Sequence, residues 1–260
     1  MVITREIIIM NKVIIKTKDQ IEKIHEAGKI LADLYEQLKY YIKPGVSTYQ
    51  IDAFADRFVK KRGALPTFKT VERYKHATCI AVNEEVVHGI PRKDKIVKRG
   101  DIVSVDCGAT LDGYIGDSTC SYIMPGTDEK AKKLVRVTKE CLDLGIKECI
   151  PGNRLGDIGA VIQEHAEKHG FSVVTEYVGH GTGVYLHEDP PIPHYGKRGT
   201  GTELKEGMVL AIEPMINEGG YKTKVLEDNW TVVTFDGKLS CQFEHTVAVT
   251  GNGPKVLTLY

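Results

Sequence analysis

"VSVDCGATLDGYIGDSTCSY", residues 103–122, decides how this chain is read. Two runs rich in apolar and small residues flank Leu111-Asp112-Gly113, and Asp-Gly between such runs is a strong hairpin signal. One carboxylate lies deep in each run, Asp106 and Asp117. Acids are depleted in strands and costly to bury. With an even-length loop the two share a face, directly opposite or one diagonal step apart, with β-carbons about 5 to 8 Å from each other. An odd loop turns one of them away unless a bulge restores the register. Two like charges this close on a buried face call for a retained proton or a cation between them. The alternative is a solvent-facing hairpin edge with two harmless acids.

The 260 residues suit one large domain or two halves sharing a core, and 42% apolar with 27% charged content is ordinary for a globular chain. With 35 basic against 35 acidic residues, nucleic-acid or anionic-membrane binding is not expected as the main activity. No apolar run reaches the length of a membrane span. The opening "MVITREIIIM" lacks a signal-peptide layout, reads as a short tail or edge segment over residues 1–11, and leaves Met10 as an alternative start. The six cysteines form no CxxC pair, which points to reduced, mostly buried thiols in a cytoplasmic protein.

A first helix is expected from about Thr17, where Thr17 and Gln20 form a capping-box pattern, with Ile21, Ile24, Gly28, Leu31, Leu34 and Leu38 on its inner face and "KPG" at 43–45 as its stop. A second begins at Ser47, with Gln50 three residues later, and ends at Gly63. Strands are expected over 77–123, a helix over 127–149, another after "IPGNRLGD", and strands with Gly- and Pro-rich connections from 171 onward. The second half repeats the first at an offset of 107 residues: Pro44-Gly45 falls on Pro151-Gly152, Gly63 on Gly170, and "VKRGDIVSVD" (97–106) on "LKEGMVLAIE" (204–213). Asp106 thereby falls on Glu213. The expectation is an internal duplication with approximate twofold symmetry in a single domain spanning 12–260, its two sheets meeting along a seam where equivalent acids converge.

Three further segments bear on those acids. "GHGTG" sets His180 between glycines, "VLAIEP" puts Glu213 at the end of an apolar strand, and "CQFEHTVAV" puts Glu244 inside an apolar run. Each alone has an ordinary structural explanation. Together, four carboxylates and one imidazole form an oxygen-rich set suited to divalent Mn, Fe, Co or Zn. Four carboxylates exceed what one ion needs, and shared carboxylates commonly bridge two ions about 3.5 to 4 Å apart. Such a pair brings the pKa of a bridging water towards ~7, and hydrolysis of an amide or ester is the natural reaction.

The segments "NEEVVHGIP" (83–91), "DCGATLDGYIGD" (106–117), "GHGTG" (179–183), "LHEDP" (186–190), "EGMVLAIEPM" (206–215) and "FEHTVAV" (243–249) resemble type I methionine aminopeptidases in order and spacing, and the resemblance covers the chain from about residue 12. It implies an α+β pita-bread fold with an antiparallel core and outer helices. It implies two divalent ions: Asp106 chelating one, Asp117 and Glu244 bridging both, His180 and Glu213 completing the coordination of the second ion. It also implies that His88 and His187 contact the substrate amide and that Glu213 takes part in proton transfer. Tyr74, Cys79, Leu186 and Trp230 would line a methionine pocket. Substrates would be the N-termini of nascent polypeptides with a small second residue, met through transient ribosome association by a cytoplasmic monomer. The chain departs from the family at "TFKTVERYKH" (67–76), where glycines are missing and Val71 replaces an aromatic, so the pocket mouth is expected to differ. Alternatives are a proline-directed aminopeptidase of the same fold, a non-catalytic homologue, and a phosphate-ester metalloenzyme. The first usually carries an extra N-terminal domain, the second loses ligands, and the third wants Arg or Lys near the metals.

Overall fold

The computed structural model describes residues 13–259, and the expectations for the tail at 1–11 and for Met10 lie outside the described residues. Four helices carry the outer layer: α1 Lys18–Tyr41, α2 Thr48–Lys61, α3 Glu129–Lys147 and α4 Leu155–Lys168. In chain order the strands are β1 Leu65–Pro66, β2 Thr78–Val82, β3 Glu85–Val87, β4 Ile102–Leu111, β5 Tyr114–Ile123, β6 Ser172–Val173, β7 Gly179–Gly181, β8 Glu188–Ile192, β9 Val209–Ile212, β10 Met215–Asn217, β11 Thr223–Val225, β12 Val232–Thr234, β13 Ser240–Gln242, β14 Glu244–Thr250 and β15 Gly253–Val256.

The helix starts follow their local chemistry. Thr17 caps α1 and Ser47 caps α2, each with the reciprocal bond from a glutamine three residues on, Gln20 and Gln50. Ile21, Ile24, Gly28, Leu31, Leu34 and Leu38 are all buried along α1, as their spacing requires. On α2 the fully buried positions are Ile51, Ala55 and Val59, while Phe54 and Phe58 are half-buried and extend a stack from Tyr41. One apolar core takes residues from all four helices and from the main sheet.

The main sheet has nine strands, in the order β1-β4-β5-β14-β9-β7-β8, with β2 also on β4 and β15 also on β14. All its pairings are antiparallel. Two three-stranded sheets, β13-β10-β6 and β11-β12-β3, lie beside it. Helix α1 crosses β5 at glycine contacts: a β-carbon on Gly116 would stand 2.8 Å from the backbone nitrogen of Gly28. That approach needs a residue without a side chain at 116, next to Asp117, while a β-carbon on Gly28 would instead meet the Leu257 carbonyl oxygen at 2.2 Å.

Local structure recurs at the 107-residue offset. The bounds of α2 and α4 correspond residue for residue, Thr48 with Leu155 and Lys61 with Lys168. Gly45 donates to the Val97 carbonyl as Gly152 does to that of Leu204, and the isolated bridge Ser47↔Ile96 has its counterpart in Arg154↔Glu203. Strands β4 and β9 start 107 residues apart, at Ile102 and Val209. Between them runs β14, paired with β5 on one side and β9 on the other. Among the described residues no helix is long and apolar enough to cross a membrane.

Candidate metal centre

The hairpin settles the loop parity. Strands β4 and β5 pair without interruption from Ile102↔Ile123 to Leu111↔Tyr114, so only Asp112 and Gly113 turn the chain. Both have positive φ, 48° and 80°, the conformation of a two-residue type I′ turn. The loop is even and no bulge intervenes. Asp106 stands opposite Thr119 and Asp117 opposite Gly108, so the two acids share a face one diagonal step apart.

The same register extends across five adjacent strands. One row runs from Asp106 on β4 through Thr119 on β5 to Glu244 on β14. Glu213 sits next to that row, directly after Ile212, the partner of His245. A second row starts at Asp117, whose N–H donates to the Thr246 hydroxyl at 3.0 Å while that hydroxyl donates back to its carbonyl at 2.7 Å. Thr246 pairs with Ala211, and Ala211 with His180 on β7. Small residues (Gly108, Thr119, Thr246, Ala211) separate the functional ones along both rows and leave room between them. The glycines around His180 serve close strand packing, since a β-carbon on Gly179 would meet the Ala211 carbonyl oxygen at 2.3 Å and one on Gly181 that of Asp189 at 2.4 Å.

All five side chains predicted as ligands therefore face one site. Donor atoms of Asp117, His180 and Glu244 lie within 4.8 Å of one another. His180 Nε2 is 3.4 Å from Glu213 Oε1 and 3.8 Å from Asp117 Oδ2. Its Nδ1 donates to the Gly181 carbonyl at 2.9 Å, which leaves Nε2 with its lone pair towards the acids. Asp117 and Glu244 are 3% and 2% exposed, whereas Asp106 and Glu213 keep partial access to solvent. Burial pushes the Asp117 carboxyl up to about 7. Burial first, and the neighbouring acids second, hold Asp106, Glu213 and Glu244 well above the usual carboxylate range. Burial likewise keeps His180 well below its usual value, hence neutral.

Asp106 Oδ1, Asp117 Oδ1 and Glu244 Oε1 are buried with no hydrogen-bond partner. Orphaned buried carboxylate oxygens are rare in proteins, and several converging beside a neutral imidazole make a donor set that fits divalent cations. The protein holds these groups with residues that the sequence reading did not single out. Thr119 Oγ1 donates to Glu244 Oε2 at 2.9 Å, Gln242 Nε2 donates to Glu213 Oε2 at 3.0 Å, and the Glu213 N–H donates to His194 Nε2 at 3.1 Å.

His88 and His187, expected to contact the substrate, lie at the same site. His88 follows β3 at φ 58° and its Nδ1 is buried without a partner. Burial, then the charge of His187, lowers His88 to about 4, so it is neutral near pH 7. His187 is exposed, and its ring stands 4.4 Å from that of His180, edge to face. The loop bearing it is pinned by the next residue: Glu188 accepts the N–H groups of Val184 and Tyr185 at 2.7 and 3.0 Å and pairs with the buried Lys16 ammonium.

Tyr74, Cys79, Leu186 and Trp230 come together as predicted, joined by Phe68, Val71 and Ile90. The rings of Tyr74 and Trp230 are 5.0 Å apart, and the Tyr74 hydroxyl donates to the Thr78 carbonyl at 2.8 Å. Cys79 is the direct partner of Asp106 between β2 and β4, which sets this apolar cluster beside the acids. Segment 67–76 forms a short 3-10 turn, Thr67–Thr70, that buries Phe68, with Val71 packed against the cluster. The sequence does not mark Phe68 or Ile90 as pocket residues: one lies in the divergent segment and the other inside "HGIP".

The profile of metallopeptidase family M24 matches residues 22–251. Methionine aminopeptidase 1 of Bacillus subtilis is 51% identical over 246 residues, covering 95% of this chain and 99% of that protein. Methionine aminopeptidase of Clostridium acetobutylicum is 47% identical over 247 residues, 95% and 99% of the two chains. The crystal structure of a Thermotoga maritima methionine aminopeptidase superposes with a TM-score of 0.94 at 49% identity, covering 96% of this chain and all of that one (100%). Prolidase from Pyrococcus furiosus superposes at 0.77 with 27% identity, and this chain spans 66% of its length. The architecture is thus the pita-bread fold shared by both kinds of neighbour. The five-strand acid cluster and these matches place the chain in metallopeptidase family M24.

Proposed function

We propose that this protein removes the N-terminal methionine from polypeptides whose second residue is small. The observation that carries the reading is the pairing of Cys79 with Asp106, which sets an apolar side-chain cluster immediately beside the acids. An aminopeptidase needs those two features in contact, because the scissile bond lies just beyond the first side chain. The curated relatives named above carry the same activity in their names over nearly the whole chain length. We assign residues 12–260 to one catalytic domain.

Asp106, Asp117, His180, Glu213 and Glu244 would hold two divalent ions, of the Co, Mn, Fe or Zn class. When bound there, such ions supply a water of lowered pKa and polarise the scissile carbonyl. The remaining steps belong to the chain's own groups. The Glu213 carboxylate, one of whose oxygens is held by the Gln242 amide, is the group placed to take the proton of the attacking water. As the new C–O bond forms and the C–N bond breaks, Glu213 returns that proton to the departing amine. His88, neutral at physiological pH, donates an N–H to the carbonyl oxygen as negative charge develops, without introducing a buried cation. His187 contacts the substrate amide from the exposed rim. Tyr74, Trp230, Leu186 and Cys79 enclose the methionine side chain, joined by Phe68, Val71 and Ile90.

The expected setting is the cytoplasm, acting as a monomer on nascent chains near the ribosome. The test is a metal-titrated assay of the purified protein with Met-Ala-Ser and an Xaa-Pro peptide. Metal-dependent release of methionine is expected. Cleavage of the Xaa-Pro peptide but not of Met-Ala-Ser would overturn the proposal in favour of a proline-directed peptidase.

A further inference from the structure

Helix α4 ends in "HAEKH", with His165 in its last turn and His169 as its C-cap. Four residues apart, the two histidines share one helix face, and their rings stand 4.5 Å from each other. Glu140, on the neighbouring helix α3, completes the group. His165 Nε2 is 2.8 Å from Glu140 Oε2, and donor atoms of all three residues lie within 4.8 Å of one another. Among the described residues this is one of two groups that bring three metal-ligating side chains together, and it shares no residue with the acid cluster.

We propose that Glu140, His165 and His169 form a second, peripheral site for a borderline transition metal such as zinc, nickel or copper, which clamps the end of α4 to α3. A pair of imidazoles at helical i, i+4 spacing with one carboxylate is a recurrent open zinc donor set, its remaining position filled by water. All three residues are half-buried, so an ion can enter from solvent. The His169 ring is already oriented: its Nδ1 bonds the His165 carbonyl at 2.9 Å, leaving Nε2 as the ligand atom. Glu140 is ionised, held below its usual range by the bond to His165 and by Arg136, which occupies the other carboxylate oxygen at 2.8 Å. The helix macrodipole adds to this, because its negative end lies at the last turn of α4, where a cation is favoured. The nitrogen-rich donor set selects against magnesium and calcium.

The test counts bound zinc by equilibrium dialysis and follows hydrogen exchange of the amides around residues 160–170. The intact protein is compared with His165→Ala/His169→Ala and with Glu140→Gln. The parent should bind one more zinc equivalent than the double variant, and zinc should slow exchange in the last turn of α4 in the parent alone. Magnesium should have no such effect. Methionine release with manganese should be unchanged in both variants, since neither touches the acid cluster. If the double variant misfolds, Glu140→Gln still decides, because it keeps a hydrogen-bond acceptor for His165 and should lower zinc affinity at this site at least about tenfold. Equal zinc stoichiometry in parent and double variant, undiminished zinc affinity in Glu140→Gln, or absence of zinc-dependent protection at 165–169, overturns the proposal.

Discussion

In the metal-free protein the Asp117 carboxyl titrates at about 7 instead of 3.8, with burial as the cause. The folded form therefore binds its proton more tightly than the unfolded chain does. The favourable condition holds below the unfolded value and is lost as pH rises through about 7, above which the penalty is constant. At ~1.36 kcal/mol per pH unit, that penalty reaches about 4 kcal/mol. Asp117→Asn abolishes the titration. It also leaves a buried amide short of partners, a cost of about 1–3 kcal/mol that does not depend on pH. Urea unfolding of chelator-treated protein should find the variant less stable than the parent near pH 4 and at least as stable near pH 8.5. Their stability difference should move by about 4 kcal/mol across that range. Because the Asp117 charge also raises Asp106, Glu213 and Glu244, its removal acts in the same direction through them. Excess divalent metal should reverse the order by stabilising the parent, while peptide hydrolysis by the variant is lost. A stability difference that stays flat with pH would refute the reasoning, because it would mean that burying the ionised Asp117 carboxylate carries no penalty.

Thr119→Val removes the hydroxyl that donates to Glu244, and should lower metal affinity about 10- to 100-fold in a metal titration of activity, with the fold intact. An unchanged titration curve would show that the threonine does not orient its neighbour. Lys16→Met leaves the buried Glu188 carboxylate without its countercharge, and should cost about 3–5 kcal/mol in urea unfolding. It should also reduce turnover, because Glu188 pins the loop that carries His187; full turnover would dissociate that loop from catalysis. Gly116→Ala places a β-carbon 2.8 Å from the Gly28 nitrogen, a backbone atom that cannot rotate aside. Thermal unfolding should show a loss of about 1–3 kcal/mol, and no loss would mean that α1 moves freely over β5.

What the sequence disclosed and what it withheld divide along physical lines. Helix starts were legible because a cap and its reciprocal partner lie three residues apart, as at Thr17 and Gln20. The acids were legible because a charge inside an apolar run is anomalous wherever it occurs. The parity of the hairpin was not, since Asp112-Gly113 sets a two-residue loop only if both residues adopt positive φ, and this depends on the strands pairing through to Leu111 and Tyr114. The supporting groups were harder still. Thr119 is an ordinary strand threonine until Glu244 arrives beside it from 125 residues away, and Gln242 and His194 gain their meaning only from Glu213. Within "LHEDP" nothing marks a role for Glu188, because its cation, Lys16, lies 172 residues earlier. The four residues expected to line the pocket gather into one apolar cluster, and Phe68 joins them from the segment that departs from the family.

The place of β14 in the sheet also sets a clock. It lies between β5 and β9, yet it follows both in the chain, so neither half can close its inner edge until Glu244–Thr250 has been synthesised. During translation the first hairpin emerges with Asp106 and Asp117 already aligned but with an open strand edge beside them, and it waits through more than a hundred residues. Such edges are prone to pair with other chains, and contacts this distant in sequence form slowly. The acids that repel one another without metal are then drawn together only when the last of them is delivered by the strand that seals the sheet. Assembly of the site and completion of the fold become one event, and a molecule interrupted before that strand has no partly active form.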